Sequence, residues 1–239
     1  MTSTKLRGPI KNPKVSPQAI RIVCISDTHG QHRQLTVPEG DILIHAGDFM
    51  RSGQRLNEIV DFNDWLGSLP HPHKVVIAGN HDLLFESYPE MARGRLNNTT
   101  YLENSGAEIF GLKFWGSPVQ PTFHNWAFNV DRGAAIRRYW KKIPSDTDVL
   151  ITHGPPFGTL DKIDILGPHL GCEELAKTIS QIRPRLHVFG HIHGGHGQET
   201  TKATAFVNAA VLNERYELTH KSQTIDLIVN RGPERNSIR

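Results

Sequence analysis

Five short apolar runs in this chain are each followed at once by a cluster of metal-capable side chains, and that pattern constrains the fold more than composition does. Residues 20–25 lead into Ser26-Asp27-Thr28-His29-Gly30, and 41–46 into Gly47-Asp48. Residues 74–78 lead into Gly79-Asn80-His81-Asp82, 148–152 into His153-Gly154-Pro155-Pro156, and 186–189 into Gly190-His191-Ile192-His193. Runs of Val, Ile and Leu bounded by Gly, Asp, Asn or His read as strands buried on both faces. In an open α/β sheet, functional groups collect in the crevice beyond the carboxyl ends of such strands. The pattern therefore predicts one sheet edge furnished with ligands by five strands.

Helical spacing lies between the runs. Leu56, Ile59, Val60, Asn63 and Leu66 share one face, which Phe62, Trp65 and Leu69 widen. Ile136, Tyr139, Trp140 and Ile143 form a second stripe, and Leu175, Ala176, Ile179 and Ile182 a third. Residues 206–211 and 224–229 read as further strands, and 108–115 as a hairpin around Gly111. Strands alternating with helices imply a layered α/β domain. Its expected extent is 20–230, between a mobile arm at 1–19 and a frayed tail at 231–239.

Composition narrows the function. With 27 Lys and Arg against 24 Asp and Glu, the net charge is +3, too small for a polyelectrolyte. The absence of a basic stripe argues against long nucleic acid as a partner. No run approaches the roughly 18 apolar residues of a membrane span, and the first 20 residues lack the core of a signal peptide, so the expected setting is cytoplasmic. Cys24 and Cys172 are too few for a disulfide framework. The fourteen histidines are the telling feature, since imidazole is the commonest metal ligand.

Asp27, His29, Asp48, Asn80, His153, His191 and His193 offer carboxylate, imidazole and amide groups without thiolate. That set suits Mn, Fe, Zn or a mixed pair and argues against iron–sulfur or Cu(I). Seven ligands exceed what one transition ion takes and match two ions sharing a carboxylate, the arrangement that hydrolyses phosphate esters.

The blocks Asp27/His29, Gly47-Asp48, Gly79-Asn80-His81-Asp82, His153 and Gly190-His191-Ile192-His193, in that order, resemble the signature of the calcineurin-like metallophosphoesterases. GDILIHAGD at 40–48, KVVIAGNH at 74–81, WAFN at 126–129 and THGPP at 152–156 resemble the metallophosphodiesterase-domain (MPPED-like) branch over residues 20–215. That branch is similar to class III cyclic nucleotide phosphodiesterases. After His193, where such relatives carry Glu-Gly-Tyr-Gly, this chain has Gly194-Gly195-His196-Gly197, a change that bears on the pocket wall and not on the ligand set.

The resemblance implies a four-layered αββα sandwich in a single domain, with two divalent transition-metal ions, Mn first and Fe or Zn as alternatives. It implies that Asp27, His29 and His193 hold one ion, that Asn80, His153 and His191 hold the other, and that Asp48 bridges them. His81 is the implied catalytic acid, beside the ions without joining them, and Asp82 the group orienting its ring. Asn80, His81 and His193 are the expected substrate contacts. The implied reaction is hydrolysis of a small phosphodiester such as a cyclic nucleotide. A broad phosphomonoesterase or nuclease on the same centre, and a catalytically weak nucleotide-binding scaffold, are the alternatives. His32 and His196 are expected behind the ligands or in solvent, and His45 in the core. Trp126 and Phe128 are aromatic candidates for stacking on a base.

Overall fold

The computed structural model describes residues 16–164 and 166–231. Its first half runs β1 (Ser16–Ile25), β2 (Ile42–His45), α1 (Leu56–Ser68), β3 (His73–Val76), α2 (Leu83–Ser87), α3 (Pro89–Arg93), β4 (Thr100–Tyr101), β5 (Ser105–Ile109) and β6 (Leu112–Ser117). The second half runs β7 (Gln120–Pro121), β8 (Asn129–Val130), α4 (Ala134–Trp140), β9 (Val149–Thr152), α5 (Glu173–Ile182), β10 (Leu186–Phe189), β11 (Gly197–Thr200), β12 (Ala205–Asn208) and β13 (Gln223–Arg231).

The strands form two large mixed sheets, ordered β13-β1-β2-β3-β4 and β11-β12-β10-β9-β6-β5, with β7 and β8 paired apart. Within them β1 to β4 are parallel neighbours, as are β6, β9, β10 and β12, while β13, β5 and β11 run antiparallel on the flanks. The five ligand-bearing strands are thus divided, three in one sheet and two in the other, and do not share the single edge that the strand pattern predicts. Strands buried on both faces carry no record of which sheet they join.

Side-chain alternation explains the layering. Ile20, Ile22 and Cys24 of β1 and Ile42 and Ile44 of β2 face Val149 and Ile151 of β9 and Leu186 and Val188 of β10 in the core between the sheets. The opposite faces carry Val23, Ile25 and Leu43, which meet Ile59, Phe62, Trp65 and Leu66 of α1. Leu150 and Phe189 of the second sheet likewise meet Ile136 and Trp140 of α4 and Leu175 and Ile179 of α5. Helix, sheet, sheet and helix make the expected αββα sandwich.

Differences from the sequence expectation are local. Val60 is exposed instead of sharing the α1 face, and Ile143 packs with α4 although the helix ends at Trp140. Residues 16–19, expected in the arm, extend β1 because β13 pairs with it from Ser16 onward. The rest of the arm, residues 1–15, and the tail from 232 lie outside the described residues. Both cysteines are buried and unpaired, and among the described residues no helix is long and apolar enough to cross a membrane.

Trp140 fixes the outer helical layer: its indole is buried and Nε1 donates to Cys172 Sγ at 3.3 Å, joining α4 to the start of α5. Trp140→Ala should lower unfolding stability by about 3–5 kcal/mol through lost contact and cavity formation. The shift in urea midpoint measures this, and a loss under about 1 kcal/mol would mean that the layer is not held there.

Candidate metal centre

The carboxyl ends of β1, β2 and β3 meet those of β9 and β10 where the two sheets are tied by a parallel bridge between Ser26 and Ala210. All seven ligand candidates converge there. Three groups form, each with its ligand atoms within 4.8 Å of one another: Asp27, His29 and His193; His29, Asp48 and His81; and Asp48, His153 and His191. His29 links the first two groups and Asp48 the last two. Asn80 joins through Oδ1, 2.8 Å from His153 Nε2. A ring nitrogen of His81 thus lies within 4.8 Å of ligand atoms of His29 and Asp48.

Asp48 occupies the middle. Its Oδ2 lies 3.3 Å from His153 Nε2 and 3.7 Å from His29 Nε2, while Oδ1 accepts the backbone N–H of His81 at 2.7 Å. Asp27 approaches His193 Nε2 at 3.5 Å and accepts the backbone N–H of His191 at 3.1 and 3.0 Å on its two oxygens. Burial works against both carboxylates, and the imidazoles overcome it, His193 for Asp27 and His153 for Asp48, so both titrate below the ordinary range. Burial likewise opposes the charge on His153 and His193, but Asp48 and Asp27 raise them to about 9. Burial lowers His29 to about 4, against the opposing pull of Asp48 and Asp27.

Two rings are oriented from behind, as metal-binding imidazoles are. His153 Nδ1 donates to the Ala46 carbonyl at 2.9 Å, and His193 Nδ1 to that of Asn213 at 2.9 Å, which turns each Nε2 toward a carboxylate. His29 Nε2 is buried without a hydrogen-bond partner. An orphaned imidazole nitrogen aimed among carboxylates fits a cation, because leaving it unmatched costs about 1–3 kcal/mol. Asp27, His29, Asp48 and His191 all hold left-handed backbone, with φ of 56°, 40°, 57° and 68°. Such strain at non-glycine residues collects at functional sites.

Among the described residues Asp82 makes no hydrogen bond to the His81 ring, contrary to the orienting role expected of it. Its carboxylate accepts the backbone N–H groups of Asp48 at 2.9 Å, Met50 at 2.9 Å and Gly79 at 2.7 Å, so it ties the loops after β2 and β3. His45 is a core residue bonded to Thr28 Oγ1 at 3.0 Å. His32 is buried against Asp61, and His196 stacks on His220 away from the cluster. Phe128 packs in the α1 core and is unavailable for stacking. Trp126 lies 3.9 Å from the His81 ring and lines the cavity.

That cavity, about 420 Å³, opens over His29, Asp48, Asn80, His81, His191 and His193. Arg132, Glu214 and Tyr216 also line it, and the sequence carries no signal for them because they sit in polar stretches without a motif. The wall changes where the Gly194-Gly195 departure falls. A Cβ on Gly194 would lie 1.9 Å from the Ile163 carbonyl oxygen, so only glycine lets the loop before α5 close on this turn. Glu214 Oε1 accepts the Gly194 N–H at 2.6 Å.

Residues 20–195 match the family model of the calcineurin-like phosphoesterases. The chain is 41% identical over 235 residues to metallophosphoesterase domain-containing protein 1 of Homo sapiens, covering 88% of this chain and 72% of that protein. It is 40% identical over 222 residues to a UPF0046 protein of Caenorhabditis elegans, covering 87% and 75%. The structure of TT1561 of Thermus thermophilus shares the fold with a TM-score of 0.57 at 14% identity, over 87% of this chain and 99% of that one. With the family model spanning most of the sandwich and the ligand-type residues gathered at its sheet ends, the chain belongs to the calcineurin-like phosphoesterases, metal-dependent phosphoester hydrolases with a binuclear divalent-metal centre.

Proposed function

We propose that this chain hydrolyses small phosphodiesters, cyclic nucleotides among them, with manganese as its preferred metal and a reducing cytoplasm as its setting. The observation that carries the reading is Asp48, whose buried carboxylate stands between His29 on one side and His153 on the other. In this reading Asp27, His29 and His193 hold one ion, Asn80, His153 and His191 the second, and Asp48 bridges them. Bound there, two divalent ions supply Lewis-acid charge to the phosphoryl oxygens and acidify a water.

The chain's own groups do the rest. His81 is fixed by its N–H to Asp48 and by its ring contact with Trp126, and its ring faces the cavity. Burial, opposed by Asp48, lowers the pKa of that ring. The ring acts by directing an N–H at the leaving oxygen, sparing that oxygen a full negative charge as the ester bond breaks. Asn80 offers its amide to the phosphoryl group, and His193 contacts it from the other side. Trp126, Phe123 and Pro121 limit water at the cavity wall. Two buried free cysteines favour a reducing compartment.

Turnover of bis(p-nitrophenyl) phosphate is the test. Chelation should abolish it and Mn²⁺ restore it, and Asp48→Asn should lose most turnover and at least one equivalent of metal. Full metal content with full turnover in that variant would overturn the bridge.

His81→Ala should retain both metals and lower kcat by about 10²–10⁴, with a larger loss for alkoxide than for nitrophenolate leaving groups. An equal loss across leaving groups would assign His81 to phosphate positioning instead.

Metal uptake should also release protons. His153 and His193, raised to about 9, are protonated in the metal-free chain at pH 7 and must be neutral to bind an ion. Calorimetry in buffers of differing ionisation enthalpy should show about two protons released per chain at pH 7, falling toward none as pH rises past 9. Release independent of pH across that range would contradict the assignment of these two ligands.

A further inference from the structure

Tyr216 stands at the cavity mouth with its ring centroid 4.9 Å from that of His29 and 5.4 Å from that of His193, edge-on to both. It is 48% exposed, and its backbone is left-handed with φ of 59°, an unfavourable conformation for an aromatic residue. The conformation is held firmly. The Tyr216 N–H donates to the Asn213 carbonyl at 2.9 Å, and Gln31 Nε2 donates to the Tyr216 carbonyl at 3.0 Å. The side-chain oxygen of Asn213 accepts the N–H of Arg215 at 2.9 Å and of Glu217 at 3.0 Å. The same Asn213 carbonyl orients His193, so the turn that displays Tyr216 is built onto the ligand cluster. The fold thus holds a half-exposed aromatic residue in a costly conformation against two ligand rings, leaving surface on which a ligand can pack.

The rest of the wall indicates which ligand. Phe123, Trp126, Ile163 and Leu170 are apolar. Among the described lining residues Arg132 is the only Lys or Arg, and its guanidinium already donates to the carbonyls of Gly171 and Leu170 and to Glu173 at 2.7, 2.8 and 2.7 Å. Glu214 adds negative charge at the mouth. A second phosphate finds no free cation there, whereas a planar uncharged group finds aromatic surface.

We propose that Tyr216 is a specificity-determining residue that packs against the planar base or aryl group of a substrate bearing a single phosphate. This rests on the phosphodiesterase reading above. The test is calorimetric binding of AMP, ADP, ribose 5-phosphate and inorganic phosphate to the metal-loaded full chain and its Tyr216→Gly and Tyr216→Phe variants. The wild type should bind AMP at least tenfold more tightly than ribose 5-phosphate and no less tightly than ADP. Tyr216→Gly, which relieves the left-handed strain, should keep the melting temperature and change phosphate affinity less than twofold. It should cut the AMP preference over ribose 5-phosphate about tenfold, the usual worth of one base stacked on a ring. Tyr216→Phe should preserve that preference. An unchanged preference in Tyr216→Gly, an equal loss of phosphate affinity, or tighter binding of ADP would overturn the proposal. Failure of phosphate to bind the wild type at all would overturn the phosphodiesterase reading as well.

Discussion

Two carboxylates, Asp27 and Asp48, are buried side by side where the sheets meet, and keeping both ionised is the condition that the surrounding loops satisfy. An unpaired buried charge is costly, and a pair of like charges more so, unless cations and N–H donors surround it. The donors come from other loops. His191 N–H, after β10, reaches Asp27, after β1, and so joins the two sheets. His81 N–H, after β3, reaches Asp48, after β2, while Asp82 returns the contact by accepting the N–H groups of Asp48 and Met50. The loops after β10 and β3 are thus held by carboxylates on the loops after β1 and β2, so neither could adopt its conformation alone.

Space is regulated as tightly as charge. A Cβ on Gly190 would lie 2.0 Å from Asp27 Oδ2 and 2.2 Å from Ser26 Oγ, so any larger residue would displace the carboxylate that the His191 N–H is placed to meet. Asp27, Asp48 and His191 all hold left-handed φ at these strand ends. The interlocked bonds described above hold those conformations in place, and the two close-packed sheets beneath keep the loops from relaxing apart.

Much of this was legible in the sequence because ligands at strand ends combine two strong signals, apolar runs and metal-capable side chains. Asp27, His29, Asp48, Asn80, His153, His191 and His193 all converge as the blocks imply. What was illegible depends on tertiary placement. Nothing in Leu150 or Val188 states which sheet its strand joins. Asp82 adjoins His81 in sequence, yet its carboxylate points to backbone across a loop, a direction that spacing does not encode. Phe128 and Trp126 are two residues apart in one aromatic segment, and only the fold sends one into the core and the other to the cavity. Tyr216 lies in the polar stretch Asn213–Glu217, where no periodicity marks it, and it acquires its position from the bonds of Asn213.

The histidines show how environment, and not residue type, assigns a role. His45 and His187 are as buried as His153, but each meets a threonine hydroxyl, Thr28 Oγ1 at 3.0 Å and Thr152 Oγ1 at 2.8 Å, and burial lowers both to about 3. They stay neutral at physiological pH and serve as hydrogen-bonding struts. Their partners are not arbitrary: Thr28 separates Asp27 from His29, and Thr152 precedes His153. His153 is raised to about 9 because Asp48 lies directly against it and outweighs burial. A neutral inner pair therefore braces the loops on which the outer, charge-coupled set is mounted, and the same side chain supplies both because imidazole takes the protonation state that its neighbours impose.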